Sequence, residues 1–156
     1  TEYYNTSGNL VQLGKDDIRN FKFKEDFTAT GANSGNDFPV IRYADILLSR
    51  AEALNELNGP NVESISLVNQ VREKAGIADL SLADFEGKDI LRTAIFQERL
   101  WEFPAEELQR QDLIRQGIFI QKAKDRGLAA QDFQVLFPIP QSEIDKNSNL
   151  TQNDGY

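Results

Sequence analysis

The sequence predicts a mainly α fold: helical hairpins with a loop-rich N-terminal section and an extended C-terminal tail. Three observations predict it. From about residue 40 to residue 126, apolar residues recur at helical spacing in segments closed by Gly59, Gly76, Gly117 and Gly127. Before that, Gly/Asn/Ser clusters at residues 6–9 and 31–37 break regular structure. After Gln134, Pro138 and Pro140 fix φ and push the residues before them into extended geometry, so Phe137 and Ile139 cannot be helical.

Residues 1–38 read as a variable, loop-rich segment with a short hairpin. A strand at about residues 9–13 is expected to pair with the alternating Phe21, Lys22, Phe23 and Lys24. Residues 39–156 read as the helical domain. Its first helix, about residues 40–57, places Tyr43, Leu47, Arg50 and Leu54 on one face, with Ala44, Leu48 and Ala51 beside them. Gly59 suits a left-handed cap. A second helix, about residues 62–75, turns Ile65, Val68, Val71 and Ala75 one way. The pair is the size of one tetratricopeptide unit, and no second copy follows at that period.

Ser81 and Asp84 have capping-box spacing. A third helix, about residues 88–102, points Leu91, Ala94, Ile95 and Trp101 inward and stops at Pro104. Helices at about 106–116 and 118–126 follow. Residues 134–139 are expected to be extended, and 141–145 a single turn. Leu136, Phe137 and Ile139 would sit in water unless that strip docks on a body.

The chain has 156 residues, no Cys, no His, 40% hydrophobic residues and a formal net charge of −8. That is enough for one compact core. The acidic balance argues against nucleic acid, which needs a basic face, and against an anionic membrane surface. Without His or Cys there is no imidazole base, no thiolate and no ordinary zinc site. No cofactor and no metal are expected. No apolar run reaches the ~20 residues that span a bilayer. From the lack of Met, even at position 1, the chain is expected to be an excerpt of a longer one, and any targeting signal would then lie upstream.

Three constellations bear on chemistry. Glu98 and Glu102 lie four apart on one helix face, with Glu106 and Glu107 beyond Pro104. Two carboxylates at a set separation serve glycoside hydrolysis. Interleaving with Arg99, Arg110 and Arg115 favours ion pairs instead, including a buried Glu98 paired with an Arg. Asp145, Asn147 and Asn149 match the first ligand positions of a calcium loop, but Leu150 stands where Gly is needed and Tyr156 where Glu is needed. An Asx-rich turn bonding its own backbone is the expected reading. Tyr3 and Tyr4, in a loop-like stretch, are candidate ligand-binding platforms, since a pyranose presents an apolar C–H face to an aromatic ring. Trp101 is assigned to the core.

Three blocks carry a family resemblance. The first runs Arg42-Tyr43-Ala44-Asp45-Ile46-Leu47-Leu48 and on through Ala51-Glu52-Ala53-Leu54-Asn55-Glu56. The second joins Val68-Asn69-Gln70-Val71-Arg72 and Ala75-Gly76 to Glu98-Arg99-Leu100-Trp101-Glu102, Glu106 and Asp112-Leu113-Ile114-Arg115. The third is the tail, Leu136-Phe137-Pro138-Ile139-Pro140 through Gln152-Asn153-Asp154-Gly155-Tyr156. Together they resemble the C-terminal region of the SusD/RagB family of outer-membrane nutrient-binding lipoproteins. The family's usual Gly after Glu106 is Glu107 here, and its usual Arg is Gln109.

The resemblance implies a tetratricopeptide-like scaffold and a non-catalytic role. It implies capture of an oligosaccharide or polysaccharide at the outer surface of a Gram-negative outer membrane. A SusC-like TonB-dependent transporter would be the partner, with lipid anchoring through the missing N-terminal part. Carboxylate-based glycoside hydrolysis and a tetratricopeptide-like protein-interaction adaptor are the alternatives. The matching motifs are scaffold motifs, so the resemblance assigns no ligand-binding residue.

Overall fold

A computed structural model describes residues 2–4, 7–12, 14, 22, 23, 26, 30 and 35–156. The chain forms two compact units, residues 1–42 and 43–156. In the first, strand β1 (Glu2–Tyr4) pairs antiparallel with β2 (Leu10–Gln12), in the register Glu2↔Gln12, Tyr3↔Val11, Tyr4↔Leu10. A strand is therefore found where one was expected, but its partner is the stretch at Tyr3 and Tyr4. Lys22 and Phe23 form a bend, while Phe21 and Lys24 lie outside the described residues. A hairpin closed by a few residues needs less ordering than one across a longer loop. Phe23 instead stacks on Phe38, with ring centroids 6.0 Å apart.

The second unit holds six α-helices among the described residues. Helix α1 (Tyr43–Asn58) starts three residues later than expected, which places Asp45 in its first turn, where the helix dipole favours an acid. Its buried stripe is Leu47, Leu48, Ala51 and Asn55. Tyr43 and Arg50, expected on the inner face, are exposed. The stripe is rotated because α1 packs on two neighbours at once, α2 (Val62–Lys74) and α3 (Lys88–Glu102). Gly59 is left-handed as expected, with φ of 76°. The Asn61 side chain then caps α2, accepting from the Ser64 amide at 2.9 Å.

Leu48, Val68, Leu91 and Ile95 are fully enclosed at the centre of this three-helix core. Ala75, expected inward, is the exposed C-cap of α2. Asn55 Nδ2 donates to the Lys88 carbonyl at 2.8 Å, tying the end of α1 to the start of α3. The Ser81 and Asp84 capping box closes, around a 3-10 turn (Leu82–Asp84) rather than at the head of α3. Asp84 accepts from the Ser81 amide at 2.9 Å.

After α3 come α4 (Leu108–Arg115), α5 (Phe119–Asp125), a 3-10 turn (Asp132–Val135) and α6 (Gln141–Lys146). Gln134 and Val135 are thus in a turn, and the extended strip begins at Leu136. It has no strand partner among the described residues, and amide side chains satisfy its backbone. Gln152 accepts from the Ile139 amide at 2.8 Å and donates to the Ile139 carbonyl at 2.9 Å. Asn153 Nδ2 donates to the Phe137 carbonyl at 2.7 Å, and the Tyr156 hydroxyl to the Leu136 carbonyl at 2.8 Å. The last residues of the tail itself thus hold the strip's backbone. Its apolar side chains are less covered than expected: Phe137 stays 70% exposed, with the Arg110 guanidinium 4.1 Å from its ring centroid.

Candidate functional site

Of the acids that invite a hydrolase reading, Glu98 is held by an arginine. Glu98, on the inner side of α3, accepts from Arg72 Nη1 at 2.6 Å, and its side chain is 5% exposed. Arg72 reaches across from α2 and also donates through Nε to the Ala78 carbonyl at 2.8 Å. The expected buried Glu98–Arg pair is therefore present. Glu102 is half-buried and Glu106 buried, and neither is without a partner. Just past the end of α3 its C-cap, Phe103, lies under the Arg99 guanidinium, 5.1 Å from the ring centroid.

Arg99 binds acids on two other helices. Nε donates to Asp112 of α4 at 2.8 Å, and Nη1 to Asp45 of α1 at 2.7 Å. Asp112 also accepts from Arg115 at 2.9 Å, and Arg115 forks onto Glu52 of α1. The Glu52 hydrogen bonds, with Asp112 behind them, push Arg115 above the ordinary arginine range. Ser49, Glu52, Glu56, Arg99 and Arg115 line a polar cavity of about 360 Å³. Arg110, expected to pair with an acid, donates instead to the Val135 carbonyl at 3.0 Å. It stacks between Phe119 and Phe137. A carboxylate fixed by a guanidinium is stabilised as the anion, the opposite of what a general acid near neutral pH requires. This applies at Glu56, where a two-pronged Arg92 contact at 2.6 Å keeps the carboxyl below the usual glutamate range.

The calcium-loop segment is an Asx turn. Asn147 Oδ1 accepts from the Asn149 amide at 3.0 Å, and Asp145 accepts from Gln141 at 2.8 Å. No group of three or more acidic side chains suited to a metal occurs among the described residues. Tyr3 and Tyr4 lie on strand β1 rather than in a loop, opposite Val11 and Leu10. The cross-strand pairing accounts for that change.

Trp101 departs most from expectation. It is 61% exposed, not core. At 3.6 residues per turn it lies about 120° around α3 from the enclosed Ile95, a signal available in the spacing. It borders a groove of about 550 Å³ lined by Arg72, Ile77, Leu80, Ala94, Gln97 and Glu98. The far wall, the loop carrying Ile77 and Leu80, is pinned twice. Asn69 exchanges two hydrogen bonds with the Leu80 backbone, at 2.8 and 2.9 Å, and Arg72 holds Ala78. No helix among the described residues is long and apolar enough to cross a membrane.

Comparison with known proteins supplies the family. A sequence profile described as the SusD family matches residues 18–156. SusD-like protein P25 of Formosa agariphila is 35% identical over 131 residues, covering 78% of this chain and 24% of that protein. The starch-binding protein SusD of Bacteroides thetaiotaomicron is 27% identical over 128 residues, covering 77% of this chain and 22% of that one. The chain thus spans about a quarter of the length of these relatives. A solved SusD superfamily protein of Bacteroides vulgatus superimposes with a TM-score of 0.65 at 29% identity, covering 76% of this chain and 28% of that one. A SusD-like protein of Bacteroides fragilis gives 0.65 at 27% identity, covering 76% and 26%. The matched residues, the helical architecture and the three motif blocks agree: this chain belongs to the SusD family.

Proposed function

We propose that this chain is the helical scaffold region of a non-catalytic glycan-capture protein. One observation carries the reading: the chain belongs, over residues 18–156, to a family that includes a starch-binding protein. The Arg72–Glu98 ion pair supports capture rather than turnover, since it engages one of the carboxylates that a hydrolase would aim at substrate. Residues 39–156 supply the rigid part, and the segment 1–38 the variable part. Recognition loops on a rigid support are a recurrent arrangement. In this reading Tyr3 and Tyr4 contact the glycan. The protein sits on the outer face of a Gram-negative outer membrane through a lipid anchor and delivers its cargo to a SusC-like TonB-dependent transporter.

The test is isothermal titration of the full-length protein against a polysaccharide panel, with reducing ends assayed after long incubation. Saturable binding without new reducing ends is expected, as is co-purification of an outer-membrane barrel. Reducing-end release abolished by Glu98→Gln would replace this reading with the hydrolase. Absence of binding to every glycan would remove it altogether.

A further inference from the structure

We infer that the groove beside Trp101 is a binding subsite for a neutral oligosaccharide. The inference rests on the glycan-capture reading above and places one of its contacts on the helical scaffold itself.

The lining has the three parts that recognition of a neutral sugar needs. The first is a flat apolar face. Trp101 presents a 61% exposed indole at the groove edge, and Ile77, Leu80 and Ala94 continue the apolar lining. A pyranose ring offers an apolar C–H face that stacks on such a ring and gains by leaving water. The second is a set of planar polar groups at fixed positions. Arg72 and Glu98 form their ion pair within the lining, and the Gln97 amide stands beside them. Glu98 Oε2 is taken by Arg72, while Oε1 accepts no hydrogen bond from the described residues. An acceptor next to guanidinium donors suits adjacent hydroxyl groups. The third is preorganisation. The loop opposite is held by Asn69 and by Arg72, so the groove does not have to be assembled when a ligand arrives.

Charge selects the ligand class. Arg72 and Glu98 cancel, and no other charged side chain lines the groove. An acidic saccharide would gain no unpaired cation there, and a basic peptide no unpaired carboxylate. At about 550 Å³ the space falls within the ~300–1,000 Å³ of ordinary small-molecule sites.

The test titrates the full-length protein with maltoheptaose, cellohexaose and xylohexaose by calorimetry, in wild type and in Trp101→Ala, Trp101→Phe and Gln97→Ala. The wild-type minus Trp101→Phe emission difference isolates the indole signal. At least one probe is expected to bind wild type and to shift that emission. Trp101→Ala should weaken it by about tenfold or more, Trp101→Phe by less, and Gln97→Ala by a few-fold. Both residues lie outside the buried core, so the variants should keep the wild-type melting temperature to within a few degrees. Unchanged affinity in a folded Trp101→Ala protein overturns the subsite and leaves glycan capture standing. No binding of any glycan by wild type overturns both. A blue-shifted, iodide-shielded Trp101 in the free protein means that protein fills the groove, and also overturns the subsite.

Discussion

Arg99 on α3 and Asp112 on α4 are joined at 2.8 Å with side chains only 6% and 5% exposed. The same guanidinium holds Asp45 on α1 at 2.7 Å, so one cation ties three helices together. Removing the guanidinium takes a charged partner from two carboxylates, leaving the buried Asp112 with Arg115 alone and Asp45 with the Ser49 hydroxyl. Arg99→Met should cost about 3–5 kcal/mol in urea unfolding. Arg99→Met combined with Asp112→Leu should cost clearly less than the sum of the two singles. Additive single effects would show that the pair is not coupled.

Glu107 sets the N-terminus of α4 with φ of 62°, a left-handed conformation that a Cβ disfavours. The turn thus takes a geometry that glycine adopts without strain, with a side chain in place. Glu107→Gly should stabilise the protein by about 1 kcal/mol, whereas Glu107→Ala should not. Thermal melts of the two variants separate backbone relief from loss of charge.

Gly155 lies against Phe133: a Cβ there would stand 2.4–2.9 Å from ring carbons. The Phe133 ring also meets Tyr156 edge-on at 4.8 Å. Gly155→Ala should therefore loosen the tail locally, at a cost of about 1–3 kcal/mol. Hydrogen exchange should show faster exchange at the Ile139 and Tyr156 amides and little change at Leu91 or Ile95 in the core. Uniform loss of protection would contradict a local effect.

The Glu56–Arg92 contact makes a pH-dependent contribution. Arg92 hydrogen bonds first, then the charges of Arg92 and Lys88, lower the Glu56 pKa, against desolvation. The folded carboxyl thus binds its proton less readily than the unfolded one. Its contribution is complete at neutral pH and is lost as pH falls through the depressed value, below the ordinary glutamate range. The melting-temperature gap between wild type and Glu56→Gln should be open at neutral pH and narrow as the pH falls below the ordinary glutamate range. A gap that widens on acidification would reverse the assignment.

Most helix positions were legible because their causes are local. Apolar spacing, Gly59, Gly76, Gly117 and Gly127 at the helix ends, and Pro104 after α3 act within a few residues of where they stand. The absence of His and Cys ruled out whole classes of chemistry without any coordinates. The three motif blocks pointed to the family that the comparisons then showed.

Other features depended on how the helices meet. Periodicity gives the angles between residues on one helix, but the phase of the buried stripe is set by the neighbours. That is why Tyr43 turned outward. Arg72 finds Glu98 26 residues away, and Arg99 finds Asp45 54 residues away. A charge interleaved with others along the chain has several possible partners. Helix packing brings one within hydrogen-bonding distance and removes the water that would otherwise screen it.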